Sequence, residues 1–245
     1  MGRASVFENR KWVPLFAGSA ALSWACAFPL IKLGLADFGI AGTDTGGKAL
    51  FAGVRFLLAG LAVLAVAKLC GRSFAVPRDK TRWQLVLFGV VNTALHYFFF
   101  YLGVSNSPGG RASILDSLGT FLLILAAAVV FREKLTLRSG FGCLLGFSGI
   151  VLINLGSTAG QFTLAGDGML LCSSVCAMAG GLLTRIVTRK MDPLVATGHS
   201  LALGGALLIP AGLLLGEPFS WRYLLSGALV TGGICAVNLP GKGRN

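Results

Sequence analysis

Long apolar runs separated by short polar segments dominate the pattern of this 245-residue chain. A bilayer hydrocarbon core of roughly 30 Å is crossed by about 20 apolar helical residues. Eight runs meet that criterion: 12–35, 49–70, 83–104, 111–131, 138–156, 167–187, 193–216 and 222–239. The runs are continuous and lack the alternation of barrel strands, so the pattern predicts an all-α, polytopic transmembrane helix bundle.

Composition supports a lipid bilayer as the chain's main surroundings. Hydrophobic residues make up 55% of the chain and charged residues 12%, which is more apolar surface than a soluble domain of this length can bury. The net charge of +12 would suit nucleic acid only if the basic residues gathered on one face with aromatic residues between them. They lie in short clusters between the apolar runs, so we expect no nucleic-acid partner.

Motifs for catalysis or metal binding are missing from the sequence. It contains no H-E-x-x-H, no phosphate-binding P-loop and no complete G-x-S-x-G. Asp167, in a Gly-Asp-Gly triplet, faintly matches intramembrane aspartyl proteases, but it lies at an interface and has no partner aspartate in a second motif. The six cysteines lie in or at the ends of the apolar runs without a C-x-x-C pair, which indicates small buried residues. We therefore expect no enzyme, no metal and no cofactor.

The distribution of lysine and arginine predicts the orientation of the spans. Fifteen of these residues lie in loops and termini on one side, and only Lys48, Arg111 and Arg222 lie on the other. Because basic loops stay in the cytoplasm, both termini are predicted to be cytoplasmic. The chain is thus expected to be a multi-pass protein of the cell (cytoplasmic) membrane.

The order of the spans repeats within the chain. The second span, from Leu50, aligns with the seventh, from Leu194, at an offset of 144 residues, and the third aligns with the eighth at 138, with Trp83 opposite Trp221. The repeat unit therefore contains five helices, and two such units have opposite orientations in a membrane. We expect residues 1–156 to form the first unit and 157–245 a partial second unit of three helices, a C-terminally truncated ten-helix arrangement.

Several segments carry a resemblance to a known family. They are ALSWACAFPLIK (21–32), RFLLAG (55–60) and residues 112–154, which include FREKLT (131–136) and the glycine-rich GFGCLLGFSG (140–149). In these the chain resembles the EamA-type transporters of the drug/metabolite transporter superfamily. The resemblance implies two five-helix repeats and a secondary transporter that moves a small metabolite, an amino acid or related polar solute or a drug-like compound, by alternating access.

Two departures from the family pattern keep an alternative open. Thr120 stands where many members have proline, and the last two helices are absent. In relatives the penultimate helix helps to line the central cavity. A truncated, non-transporting membrane fragment is therefore the second interpretation, and an intramembrane enzyme is a distant third.

Polar residues inside the spans are the candidate functional residues, because an ionisable side chain there costs roughly 2.5–3.5 kcal/mol on insertion scales. Arg55, His96 and Asp116 are predicted at similar depth, where Arg55 and Asp116 can compensate each other and His96 can carry a proton, which suggests proton coupling. In the second repeat His199 takes the place of Arg55. The candidates for the substrate cavity or for coupling are Arg55, Asn92, His96, Tyr97, Asp116, Thr120 and His199.

Structural interpretations of the same residues stay open beside these. Arg55 can extend toward the outer headgroups or form an ion pair with Asp116 that never touches a substrate, and the two histidines can serve helix packing alone. Glu133, between Arg132 and Lys134, is predicted to fix a cytoplasmic turn. The fifth-span glycines, Gly142, Gly146 and Gly149, suit close helix contact and would permit a homodimer.

Overall fold

The computed structural model describes residues 13–155 and 162–215. Both ranges are helical apart from short connections, and they contain no strand, so the all-α prediction is confirmed. The seven helices agree with the first seven predicted spans, while the eighth, 222–239, lies outside the described residues. They are α1 (Val13–Asp37), α2 (Thr45–Leu69), α3 (Thr81–Asn106), α4 (Gly109–Val130), α5 (Leu137–Leu155), α6 (Leu164–Val187) and α7 (Pro193–Leu214).

The helices have the length and surface of a membrane bundle. Six helices in the described ranges are long and apolar enough to cross a membrane, and α5 contributes the shorter apolar stretch Gly140–Gly149. Large apolar side chains such as Leu22, Leu61, Val129 and Leu207 are exposed along them. Apolar surface on this scale needs lipid rather than water around it. The chain is therefore a polytopic helical membrane protein.

Polar residues at the helix starts fix where three spans begin. Asp44 accepts a hydrogen bond from the Gly47 backbone nitrogen at 2.6 Å at the start of α2. Asp192 accepts from Leu194 at 2.9 Å and precedes Pro193, which starts α7, and Thr163 caps α6 in the same way. These caps satisfy amide groups that have no partner within the helix. The observed starts of α2 and α6 precede the predicted ones by four and three residues because the caps extend each helix beyond its apolar run.

Glycines spaced seven residues apart hold α2 and α7 together. The two helices run antiparallel, and each glycine on one meets a glycine on the other: a Cβ added at Gly60 would lie 2.8 Å from the Gly198 carbonyl oxygen, and one at Gly212 would lie 2.8 Å from that of Gly46. Such backbone approach requires small residues. The packed glycines are Gly46, Gly53 and Gly60 on α2 and Gly198, Gly205 and Gly212 on α7.

Helix α3 packs on both members of this pair and connects them to the other helices. A π-helical turn in α3, Gly89–Leu95, packs against α7, and the hydroxyls of Thr93 and Ser200 lie 3.0 Å apart in that contact. Helix α6 packs against both α3 and α4, while α1 lies against α3 and α4, and α5 lies against α4. Helices α3, α4 and α6 therefore pack together, and polar side chains such as His96 and Ser174 are buried among them.

Candidate functional site

A cavity of about 180 Å³ lies between α1, α3, α4 and α6. Three of the predicted site residues, His96, Asp116 and Thr120, line it. An apolar cavity of about 150 Å³ is known to hold benzene, so this space accommodates a solute of about six or seven non-hydrogen atoms. The full lining is Trp24, His96, Asp116, Gly119, Thr120, Leu123 and Ala177.

Asp116 places a half-satisfied carboxylate at this cavity. Its Oδ2 accepts a hydrogen bond from the Trp24 indole nitrogen at 3.2 Å. Its Oδ1 is buried and has no hydrogen-bond partner within the described ranges. The helix around it is fixed by Ser174 of α6, whose hydroxyl donates to the Leu115 carbonyl at 2.9 Å. Buried polar atoms are almost always hydrogen-bonded, so Oδ1 is the atom here that calls for a further partner.

His96 reaches the cavity from the end of the π-helical turn. Its Nδ1 lies 3.1 Å from both the hydroxyl and the carbonyl oxygen of Ser173 on α6. The ring stacks on Phe100, with centroids 5.9 Å apart, and meets the edge of Tyr97 at 4.6 Å. These contacts hold the imidazole in one orientation. His96 therefore serves helix packing and lines the cavity at the same time.

Arg55 and Asp116 have different partners in the structure. The guanidinium of Arg55 donates to the hydroxyl of the fully buried Tyr101 at 2.6 Å and lies 5.3 Å from the Phe56 ring. The expected direct ion pair with Asp116 is not among the four ion pairs of the described ranges. Tyr97 packs on Phe56, with ring centroids 3.9 Å apart. Tyr101 could not be identified from the sequence as the partner of Arg55, because several α3 positions can face α2.

Asn92 and His199 lie away from the cavity lining. Asn92 belongs to the π-helical turn, and its side chain packs on Gly180 of α6. His199 Nδ1 lies 2.8 Å from the carbonyl oxygen of Val195 in its own helix, and its ring meets Phe74 at 6.4 Å. The structure therefore brings His96, Asp116 and Thr120 together at the cavity. The other four candidates, Arg55, Asn92, Tyr97 and His199, do not line it.

A second cavity, of about 230 Å³, continues along α4 toward the loop after it. Leu123 lines both cavities and therefore lies between them. Glu133 borders the far end and forms an ion pair with Arg185 of α6. The hydrogen bond from Arg185 holds the pKa of Glu133 below its usual value. Glu133 thus ties the turn after α4 to α6. The lining consists of Leu123, Ile124, Ala127, Ala128, Glu133, Lys134 and Leu135.

The opposite end of the bundle contains a buried ionic network that the sequence did not indicate as a unit. Arg111 and Asp167 form an ion pair at 3.1 Å with side chains only 5% and 3% exposed. Asp167 also accepts from the Ser107 hydroxyl and the Thr163 backbone nitrogen, each at 3.0 Å. The Lys32 ammonium donates to the Ser107 carbonyl at 2.5 Å. The network joins α1, α4, α6 and the loop after α3.

Two basic residues on that side, Lys48 just before its predicted span and Arg111 at the first position of its own, are buried in helices. Lys48 lies in the first turn of α2, is 1% exposed and donates to the Gly42 carbonyl. Arg111 lies in the first turn of α4. Both predicted spans began too late because the polar first turn interrupts the apolar run. The orientation was predicted from basic residues in loops, and these two lie in helices, so the orientation stays a prediction.

The fifth-span glycines divide between packed and open positions. A Cβ at Gly146 would overlap the Phe121 ring of α4, so this glycine serves helix contact within the chain. Gly142 and Gly149 have no atom of the described residues within 4 Å of such a Cβ. The homodimer stays a prediction.

Comparison with known proteins gives the chain its relatives. The profile of the EamA-like transporter family matches residues 11–155. A WAT1-related chloroplast protein of Arabidopsis thaliana is 28% identical over 174 residues, which are 68% of this chain and 41% of that protein. A probable terminal-alkyne amino-acid exporter of Streptantibioticus cattleyicolor is 26% identical over 142 residues, 58% of this chain and 44% of that protein. The match thus spans less than half the length of these two relatives.

A solved crystal structure is similar in fold. It superposes with a TM-score of 0.53 at 24% identity and covers 86% of this chain and 74% of that chain. At this level of identity the likeness concerns the arrangement of helices alone.

Proposed function

We propose a transport function for this chain, which belongs to the EamA-like transporter family. The chain moves a small polar metabolite, an amino acid or a related solute, across the cytoplasmic membrane by alternating access. The cavity lined by His96, Asp116 and Thr120 is the observation that carries this proposal, because polar groups converging on a space inside a bundle are typical of a ligand site. The amino-acid class is supported by the name of the Streptantibioticus cattleyicolor relative.

The route of the solute follows α4. From the central cavity it passes Leu123 and enters the second cavity beside Glu133. At the other end the buried pair of Arg111 and Asp167 closes the bundle. Alternating access requires the two ends to open in turn, so the cycle breaks this pair when the solute enters or leaves on that side. By the distribution of basic loops, the Glu133 side is cytoplasmic.

An inverted repeat relates the two sides of this route. Its units are residues 1–156 and 157–245. Helices α2 and α7 are the matched second and seventh spans, and they cross antiparallel through glycine pairs such as Gly60 with Gly198. Contact between equivalent helices is what an in-plane two-fold axis at the centre of the bundle requires. The packing of α2 on α7 therefore supports the repeat.

Proton coupling is part of the proposal. His96 and Asp116 line one cavity, and imidazole and carboxylate groups are the usual proton carriers inside membranes. The test is uptake of labelled amino acids into proteoliposomes with and without an imposed pH gradient. We expect the gradient to change the initial rate at least severalfold. Equal rates would remove proton coupling from the mechanism while leaving transport intact.

Blocking the cavity tests transport through it. Thr120→Trp fills the space between α1 and α4, and we expect uptake of a labelled amino-acid mixture by proteoliposomes to fall to background. Leu125→Trp is the matched control, since Leu125 lies on the same helix and is 46% exposed on the outer surface. Size-exclusion profiles in detergent show that both variants fold. Equal uptake by both would contradict this cavity as the route.

A further inference from the structure

We infer that Asp116 recognises a protonated amine on the solute, so that the central cavity selects ammonium compounds over neutral and anionic ones. The inference rests on the proposed transport function and specifies the substrate class of the same site. It begins with the half-satisfied carboxylate: Oδ2 accepts from the Trp24 indole, and the buried Oδ1 has no hydrogen-bond partner in the described part of the chain.

No basic side chain of the described ranges compensates this carboxylate. Their ion pairs lie at the two ends of the bundle, and Asp116 belongs to none of them. Arg55, the nearest candidate from the sequence, is bonded to Tyr101. A carboxylate accepts hydrogen bonds at both oxygens, and removing it from water without a counter-charge is unfavourable. Asp116 lines the cavity, so an ammonium group there supplies the missing charge, and it supplies the missing donor once the carboxylate turns toward it.

The aromatic surroundings suit a cation as well. Trp24 lines the cavity, and its ring lies 5.8 Å from Phe100, 6.4 Å from Phe28 and 6.5 Å from Tyr97 between centroids. Faces of aromatic rings attract cations, and Trp does so best. Of these four rings only Trp24 lines the cavity, so it is the ring available to an ammonium group held by Asp116, and the other three pack around it.

The rest of the lining opposes an anionic solute. It contains the Thr120 hydroxyl and the His96 imidazole but no lysine or arginine. A solute whose only charged group is a carboxylate would therefore meet the Asp116 charge without a lysine or arginine of the described residues to offset it, whereas a neutral solute would leave that charge uncompensated. The amine of an amino acid meets the same requirement as a simple ammonium compound. The volume of about 180 Å³ admits a small amine. Among solutes of similar size, the site therefore binds those with an ammonium group more tightly than neutral or anionic ones.

Binding of three matched probes tests the inference. n-Butylamine, n-butanol and butyrate have the same carbon chain and differ in charge. We would titrate each into the purified full chain in detergent and follow the heat of binding and the shift in Tm. Butylamine should bind at least about tenfold more tightly than butanol, as expected for a charge-assisted hydrogen bond, and butyrate should not bind.

Substitutions assign the preference to Asp116. Asp116→Asn should remove the preference for butylamine over butanol, and Asp116→Glu should retain it. Asp37→Asn is the matched control, because Asp37 is exposed at the end of α1 and its neutralisation should leave the preference unchanged. Tm measurements on the ligand-free variants establish that they are folded.

The outcomes separate this inference from the proposed function. A folded wild-type chain that binds butanol as tightly as butylamine, or an Asp116→Asn variant that keeps the preference, would overturn the amine inference even where amino-acid uptake is normal. Amine binding that depends on Asp116 without uptake of any solute would sustain the inference and overturn transport.

Discussion

Replacing Asp167 by asparagine should destabilise the bundle more than any comparable change at its surface. The substitution removes the carboxylate that lies 3.1 Å from the Arg111 guanidinium, in a pair whose side chains are 5% and 3% exposed. It keeps the size of the side chain and an oxygen that can still accept from Ser107. The substitution therefore tests the contribution of the negative charge apart from that of side-chain size.

The magnitude follows from burial. Removing one partner of a buried ion pair costs about 3–5 kcal/mol, because the remaining charge stays in a medium that solvates it poorly. An exposed pair is worth only about 0–1 kcal/mol. Asp79 and Lys190 form such a pair at 2.6 Å with side chains 48% and 40% exposed. For a chain of this length, 245 residues, 1 kcal/mol shifts Tm by about 2–4 °C. Asp167→Asn should therefore lower Tm by about 6–20 °C and Asp79→Asn by no more than about 4 °C.

Thermal unfolding of the two variants in the same detergent is the assay. A double variant, Arg111→Met with Asp167→Leu, provides the rescue, since an apolar pair of similar volume avoids the buried charge altogether and should recover most of the lost Tm. Equal shifts for Asp167→Asn and Asp79→Asn, or no recovery in the double variant, would refute the argument that burial sets the cost.

Three further predictions concern packing, the solute route and pH. Gly60→Leu should lower Tm in detergent by several degrees, because overpacking costs about 1–3 kcal/mol or more. Gly142→Leu is the control, since its side chain would face open space and should leave Tm unchanged. Similar Tm values for the two variants would contradict the close contact of glycines between α2 and α7. Leu123→Ala should join the two cavities and raise the initial rate of amino-acid uptake severalfold, with an unchanged rate arguing against its position in the route. The lowered pKa of Glu133 means that its ion pair stabilises the fold fully above about pH 4.5 and loses this contribution as pH falls through the pKa of the folded state. The Tm of Glu133→Gln should therefore lie below that of the wild type at pH 7 and approach it when the pH is below the folded-state pKa. A difference in Tm between the two proteins that stays the same at every pH would contradict this linkage.

The spans were predictable because continuous apolar runs of this length have one stable arrangement in a bilayer. Because such a run is apolar on nearly every face, it does not show which face of the helix packs against another helix. Helix α4 is apolar nearly all round, so its sequence does not show whether Asp116 faces α1, α3 or α6. The partner of Asp116 turned out to be Trp24, 92 residues away, and that contact depends on how four helices assemble.

The seven-residue spacing of glycines that joins α2 to α7 is visible in the sequence, although it was not among the features from which helix packing was predicted. Gly46, Gly53 and Gly60 share one face of α2, and Gly198, Gly205 and Gly212 share one face of α7. The π-helical turn at Gly89–Leu95 has no comparable signature in its sequence. It forms where α3 must fit both the Gly204 region of α7 and the Gly180 region of α6, which is a tertiary requirement.

The distribution of tight and loose contacts suggests where motion can occur. Backbones of α2 and α7 meet through three glycine pairs, so this pair is the rigid part of the bundle. Trp24 lies on α1, at the edge of the bundle, and its hydrogen bond to Oδ2 of Asp116 joins α1 to α4. A ligand shifts a conformational equilibrium only through contacts that differ between the states. A solute amine binds the same carboxylate as Trp24, so we expect the contact between Trp24 and Asp116 to differ between the empty and the occupied cavity, which places the motion at α1 rather than at α2 and α7.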